Sequence, residues 1–492
     1  MATVIASAAP FSDAERSTVE APYSETTRYL AAAAHSDSVF RQAVLEQIHA
    51  AEFRCKAPEF GIDESVVIKQ CQIADRRRKI VNLLLLSVLI LFLLSGDFVP
   101  DLAFALDQPD YLGDAFEYNA PGLLLALLAC AAIVFGENLV SEHFTLRRRF
   151  ARMRSQSPLD DRRPSSPRQN IVVYGGYSPF VGSGLELRDW SFSVNLHRKK
   201  DDCTRAGGSG AVSVDGLIGQ IRARMSMLAI PGLEHYPVLF ADGRHIRQDR
   251  QLMSSPYSLP PRSVPEELLD DRDDPQEICR RTYLCISVTD WNGEMVLTTY
   301  LRFKKGEAHL FAEASHFVLP PLKHGHYAVD SLDPSLRIKR VLQLALVSTL
   351  VAPFRLLAAP FQVYAMLAVP LQRWSGRRQT RRTIRENPLF NYGAVTSIRQ
   401  LAMENRFRVF FQKLDRDMHL KTIEQCLIDS IVDYLDERDI DTSDIKERRS
   451  TILNQGVVIS GGVVTAESIA AGHGATSVVS KVKAAAGAKG AG

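Results

Sequence analysis

The chain has 492 residues, enough for several compact units, and its 46% apolar and 23% charged residues are ordinary globular proportions, so any membrane signal must come from local clustering. A formal net charge of +3 is too mild to point to nucleic acid as a partner. Seven scattered cysteines with no CxxC pair argue against an extracellular disulfide framework and fit a reducing cytoplasm.

The first residues, MATVIASAAPFSDAERS, have no basic stretch leading into an apolar core. No cleavable signal peptide is expected there, and 1–35 reads as disordered. Residues 36–79 read as a cytoplasmic helical segment. Ser36 or Asp37 can cap a helix carrying Phe40, Val44, Ile48 and Ala51 at helical spacing, and after a break from Pro58 to Gly61 a second helix starts at Asp63 and runs on towards the membrane.

The run IVNLLLLSVLILFLLS, extended by four residues, makes a first transmembrane helix at 80–99. Its aliphatic and aromatic residues favour insertion by roughly 4–6 kcal/mol. Arg76, Arg77, Arg78 and Lys79 stand just before it and hold that end in the cytoplasm. Residues 100–120 form an acidic external loop without Lys or Arg. A second span at 121–140 opens on Pro121, where a helix start tolerates proline, and Arg147, Arg148 and Arg149 return the chain to the inside. Glu137 reads as the point where this helix leaves the bilayer; the competing reading is a functional intramembrane carboxylate. Residues 141–170 are a basic helix end followed by a Ser- and Pro-rich linker.

A cytoplasmic α+β domain is expected at 171–335. Strands are expected at 171–174, 190–196 and 237–241, a helix at 216–230, and a hairpin of 283–289 with 295–303 about Asn292-Gly293, whose residues supply the positive φ of a type I′ turn. The segment YGGYSPFVGSG, with Gly175, Gly176, Gly182 and Gly184, follows a strand as phosphate-binding loops do. It lacks the Lys-Ser/Thr of a P-loop and opens no GxGxxG helix, so a tight irregular turn is the simpler reading. This stretch resembles that of a loose set of uncharacterised bacterial multi-pass membrane proteins, in which a GGYSPFxGSG segment follows a transmembrane hairpin and precedes a Trp-Ser-Phe strand. The resemblance implies membrane location and supplies no catalytic residue. His324 and His326, with His309 or His316, could ligate zinc, but one His-x-His pair is more often incidental. The acidic run from Glu266 to Asp274 lacks EF-hand spacing and reads as a solvated loop. No metal or cofactor is expected.

The apolar stretch 341–371 contains Pro353, Pro360 and Arg355 and has basic residues on both flanks. It reads as a re-entrant or interfacial helical hairpin bent at the prolines, with Arg377, Arg378, Arg381 and Arg382 lying on anionic lipid. Residues 372–450 form a basic segment and amphipathic helices; the stripe Leu420, Ile423, Leu427, Ile431 and Leu435 packs on its own domain or on a second copy. Residues 451–492 are a low-complexity, β-prone tail.

The sequence therefore describes a membrane protein with a two-helix transmembrane hairpin, a cytoplasmic α+β domain and a helical C-terminal region, set in the inner or plasma membrane. Its expected partners are the lipid bilayer and a possible second copy. The leading function is a membrane-anchored binding, signalling or scaffold protein. The alternatives are a membrane-bound enzyme with its site at the 175–184 loop, and an oligomeric effector or pore.

Overall fold

The computed structural model describes residues 24–50, 52–95, 112–142, 145–146, 169–198, 212–269, 279–331 and 337–447. In chain order the helices are α1 (Glu25–Ser36), α2 (Ser38–Ala50), α3 (Glu64–Ser95), α4 (Leu112–Leu139), α5 (Val214–Met227), α6 (Ile338–Glu386), α7 (Ile398–Ala402) and α8 (Phe410–Asp436). The strands are β1 (Ile171–Tyr174), β2 (Leu185–Asn195), β3 (Leu233–Asp242), β4 (Arg280–Asp290), β5 (Met295–Lys305) and β6 (His309–Leu319). Two compact units divide the chain: Ala50–Phe60, Ser166–Pro321 and Arg381–Gly492 form the sheet unit, and Met1–His49, Gly61–Ser165 and Leu322–Thr380 form the helical unit.

In the sheet unit the strands run in the order β1-β3-β4-β5-β6-β2. Only the β1–β3 pair is parallel. Strict alternation along β4 makes the sheet two-faced: Leu284, Ile286 and Val288 point to one side, Tyr283 and Cys285 to the other. The first side is covered by α5, through Leu217, Ile221 and Met225, and by α8, through Leu420, Ile423, Leu427, Ile431 and Leu435. The amphipathic stripe of α8 thus packs on its own sheet.

β2 begins at Leu185, earlier than the strand expected at 190–196. Its first residues, LELRD, alternate leucines with charged residues and pair with β6 across a bulge between Glu186 and Arg188. The β4–β5 hairpin forms where expected, but its loop is longer than a two-residue turn. Asp290 pairs with Met295, and Trp291, Asn292 and Gly293 between them have φ of 51°, 56° and 87°. Positive φ is costly for the bulky Trp291, and two contacts hold it there: its backbone N–H donates to Asp290 Oδ1 (2.7 Å) and its indole N–H to Asp415 Oδ2 (3.0 Å).

In the helical unit the expectation of disorder over 1–35 is corrected from Glu25 onward, because α1 is a packed helix. The Ser24 hydroxyl caps it by accepting from Thr27 N–H (3.2 Å), and Arg28 pairs with Glu25 and Asp330, each at 2.7 Å. The tract Ala31–Ala34 is buried all round, so no polar face marks it in the sequence. Asp37 caps α2 by accepting from Val39 and Phe40 N–H, and Asp63 caps α3, which continues without interruption into the apolar run to Ser95.

Two helical stretches, Asn119–Glu142 and Ile338–Glu386, are long and apolar enough to cross a membrane. The expected hairpin over 341–371 is corrected to a single helix, α6, with Pro353, Pro360 and Pro370 inside it. Each proline removes one backbone hydrogen bond and bends a helix, whereas unwinding it in apolar surroundings would strip several backbone groups of partners at once. α3, α4 and α6 share an apolar core of Val81, Leu85, Cys130, Ala131, Ala352 and Ala359.

Several segments read from the sequence lie outside the described residues. They are residues 100–111 of the expected acidic loop, Arg147, Arg148 and Arg149 with the linker after them, the acidic residues from Asp270 on, and the tail 451–492; the rest of the loop expectation is corrected, because α4 already begins at Leu112 and holds Pro121 inside it rather than at its start.

Candidate functional site

The glycine segment after β1 is committed to the protein's own backbone. Gly175 N–H donates to Ala394 O (2.8 Å) and its carbonyl accepts from Asn391 Nδ2 (2.8 Å). Gly393 lies so close that a Cβ built on it would sit 2.1 Å from the Tyr174 carbonyl. Gly182 and Gly184 have φ of 94° and 93°, and a Cβ on Gly184 would meet Val318 O at 2.2 Å. Between them Ser183 is buried, with its hydroxyl 2.7 Å from that of Tyr300. Phe180 stacks on Tyr300 (4.7 Å between centroids) and packs edge-on against Phe240 and Tyr283. The loop is a lid over the second face of the sheet. Gly176, Tyr177 and Ser178 stand clear, Tyr177 being fully exposed.

The histidines do not converge. His324 is exposed and His326 buried on a helical turn, where His326 faces Phe40 and Asp37 (3.5 Å). His309 is exposed at the start of β6. His316 is fully buried under α8: its Nδ1 lies 2.8 Å from Thr299 Oγ1 and its Nε2 3.2 Å from Glu424 Oε1, while the other oxygen of Glu424 pairs with Arg188. Burial, then the charge of Arg188, pushes the His316 imidazole down to about 3, so it is neutral at physiological pH. Among the described residues no group of three His, Cys, Asp or Glu is placed to hold a metal ion.

The basic residues expected at the membrane edge separate into two sets. Arg76, Arg77, Arg78 and Lys79 lie on α3 just before its apolar part; Arg77 donates to Ser141 Oγ (2.9 Å) and Lys79 pairs with Asp75 (2.7 Å). Arg377 and Arg378 are exposed near the end of α6, Arg378 lying 3.7 Å over the Trp374 ring. Arg381 and Arg382, one turn on, enter a different setting in the sheet unit. With Arg385 and Tyr257 they line a groove of about 480 Å³.

Both walls of that groove are anchored. Ile384 is buried against Ile171, Leu239 and Tyr392, and Arg247 donates to Ile384 O (2.8 Å), which caps the C-terminal carbonyls of α6. The Tyr257 wall is tied down by Tyr392, whose hydroxyl donates to Pro256 O (2.8 Å), and by a turn in which Ser258 Oγ donates to Ser255 O (2.7 Å). Nearby Cys55 is no nucleophile, since burial pushes its thiol up to about 12. Sequence reasoning found Arg381 and Arg382 as a charge run; Tyr257, distant in sequence, gave no signal.

Residues 189–465 match the model of the AbeC-like domain family, and that span is more than half of the chain. The chain belongs to the AbeC-like domain family. No curated protein and no solved structure matches it. The AbeC-like span runs from within β2 through α8 and includes α6 and all four residues of the groove. The 175–184 glycine segment and the α3–α4 pair lie before it.

Proposed function

We propose that this AbeC-like chain is a membrane-anchored binding or scaffold protein, held in the inner or plasma membrane by α3, α4 and α6, with its N-terminus and sheet unit in the cytoplasm. The observation that carries this reading is the outward direction of the apolar side chains. Leu83, Leu84, Leu91 and Leu94 on α3, Leu124, Leu125 and Leu128 on α4, and a stripe from Leu342 to Leu371 on α6 are all exposed. Apolar surface this extensive is tolerated against lipid and not against water.

Orientation follows from charge, since Arg76 to Lys79 precede the first apolar run and the loop after it has no Lys or Arg. For α6 the reading is interfacial. Arg340, at its start, makes two bonds to Glu142 at the end of the second apolar run (2.8 and 2.9 Å). Farther in, Ala352 O accepts from Cys130 Sγ (3.2 Å) and Arg355 pairs with Glu137 (2.5 Å). Arg373 and Arg377 then act, with Lys79, to lower the pKa of His49, after burial as the main cause. Both basic ends of α6 are thus near residues assigned to the cytoplasmic side, which supports an interfacial helix whose apolar side chains enter lipid without a full crossing.

Single cysteines introduced at Ser95, Asp107, Ser165 and Thr422, probed in intact cells with an impermeant thiol reagent against the wild-type background, test the topology. Labelling confined to Asp107 and Ser95 is expected. Labelling at Ser165 or Thr422 would place the sheet unit outside and overturn the proposal.

A further inference from the structure

We propose that the groove between Tyr257 and the last turn of α6 is a binding site for a phosphomonoester group. Arg381, Arg382 and Arg385 are spaced i, i+1 and i+4, so their guanidinium groups converge on one side of the helix. Like charges at such spacing repel one another, and among the described residues none of the three is paired with a carboxylate; the contact recorded for Arg381 is the Phe53 ring at 6.0 Å. Three exposed planar forks facing a groove form an unneutralised site of charge about +3.

The chemistry narrows the ligand. A terminal phosphate offers three oxygens and up to two negative charges, which suits bidentate capture by more than one arginine, whereas a phosphodiester has one charge and two free oxygens. Tyr257 stands on the opposite wall with its ring half exposed, where its hydroxyl can donate to a further oxygen. The volume of about 480 Å³ exceeds the phosphate itself and leaves room for the group that carries it. Anchoring by Ile384, Arg247 and Tyr392 means that little backbone order remains to be lost on binding. The negative end of the α6 dipole, which would oppose an anion, is capped by Arg247.

The carrier is either a lipid with a terminal phosphate or a soluble phosphomonoester, and the lipid source alone rests on the membrane-anchored reading above. Full-length protein in neutral detergent is titrated with short-chain phosphatidic acid, with phosphatidylglycerol of the same chain length, and with glycerol 3-phosphate, following the shift of its thermal unfolding. The Arg382→Gln/Arg385→Gln double variant and Tyr257→Phe are compared with Arg406→Gln, an exposed arginine outside the groove. Phosphatidic acid is expected to bind at least about tenfold more tightly than phosphatidylglycerol, and the double variant to lose about tenfold or more while Arg406→Gln loses none. Equal binding of glycerol 3-phosphate identifies a soluble ligand; binding of phosphatidic acid alone identifies the lipid. The proposal fails if both lipids bind alike, or if Arg406→Gln weakens binding as much as the double variant. Extraction of the chain from membranes by alkaline carbonate would defeat the anchoring reading and leave the groove result intact.

Discussion

The sheet unit and the helical unit each hold an ion pair in apolar surroundings, and they treat it differently. Under α8, Glu424 is completely enclosed between Arg188 and His316, and the leucines around it all point inward. Between α4 and α6, Glu137 and Arg355 keep part of their side chains exposed, and many of the surrounding leucines point outward. The same residue types thus build a core closed against water in one unit and an outward-facing apolar surface in the other. Direction, rather than composition, tells the two apart.

The largest effect expected from this contrast is at Glu424. Glu424→Ala removes the carboxylate that Arg188 pairs with, leaving the charge of Asp417 as its remaining opposite charge, and should destabilise the sheet unit by about 3 kcal/mol. Glu137→Ala should cost markedly less, because Arg355 can extend towards polar surroundings. Denaturant unfolding of the purified chain, followed by Trp190 fluorescence for the first and by helical circular dichroism for the second, measures both. Equal losses would show that the two pairs share one environment.

A somewhat smaller effect separates a backbone clamp from a ligand loop. Gly393→Ala forces a Cβ into the Tyr174–Gly175 peptide and should destabilise by about 1–3 kcal/mol or more, whereas Gly176→Ala meets nothing and should be close to neutral. Thermal unfolding of the two variants decides it. A destabilising Gly176→Ala would reveal a contact at the tip of the loop.

The smallest effect is a pH slope. The folded-state pKa of His316 is about 3 and its ordinary value 6.5, so the unfolded chain takes up a proton first as pH falls. The contribution of the neutral ring to stability is complete above about pH 6.5 and is lost progressively towards pH 3, with a slope of up to about 1.4 kcal/mol per pH unit. His316→Gln should flatten that part of the stability profile. An unchanged slope in the variant would assign the acid sensitivity to other groups.

Much of the local structure was legible in the sequence because its causes are local. Asp37 and Asp63 announced two helix starts, runs of strand-forming residues marked β4 and β5, and an apolar stripe at helical spacing marked α8. Asn292-Gly293 located the hairpin, although its loop length depended on the hold that Asp415 has on Trp291. Where the pattern was weak, the sequence misled: α1 looked disordered because its centre, Ala31–Ala34, is a run of alanines with no periodic pattern to read.

Amino-acid order alone determined where the apolar runs, the turns and the charge blocks fall, since those depend on residues a few positions apart. Tertiary structure alone decided what they face. It paired Arg355 with Glu137, carried α6 through three prolines, used the glycines of 175–184 to lodge Phe180 over the sheet, and set Tyr257 opposite Arg381, Arg382 and Arg385. Each of these joins residues far apart in the chain, and such contacts follow from the packing of whole elements, for which no local pattern carries a sign.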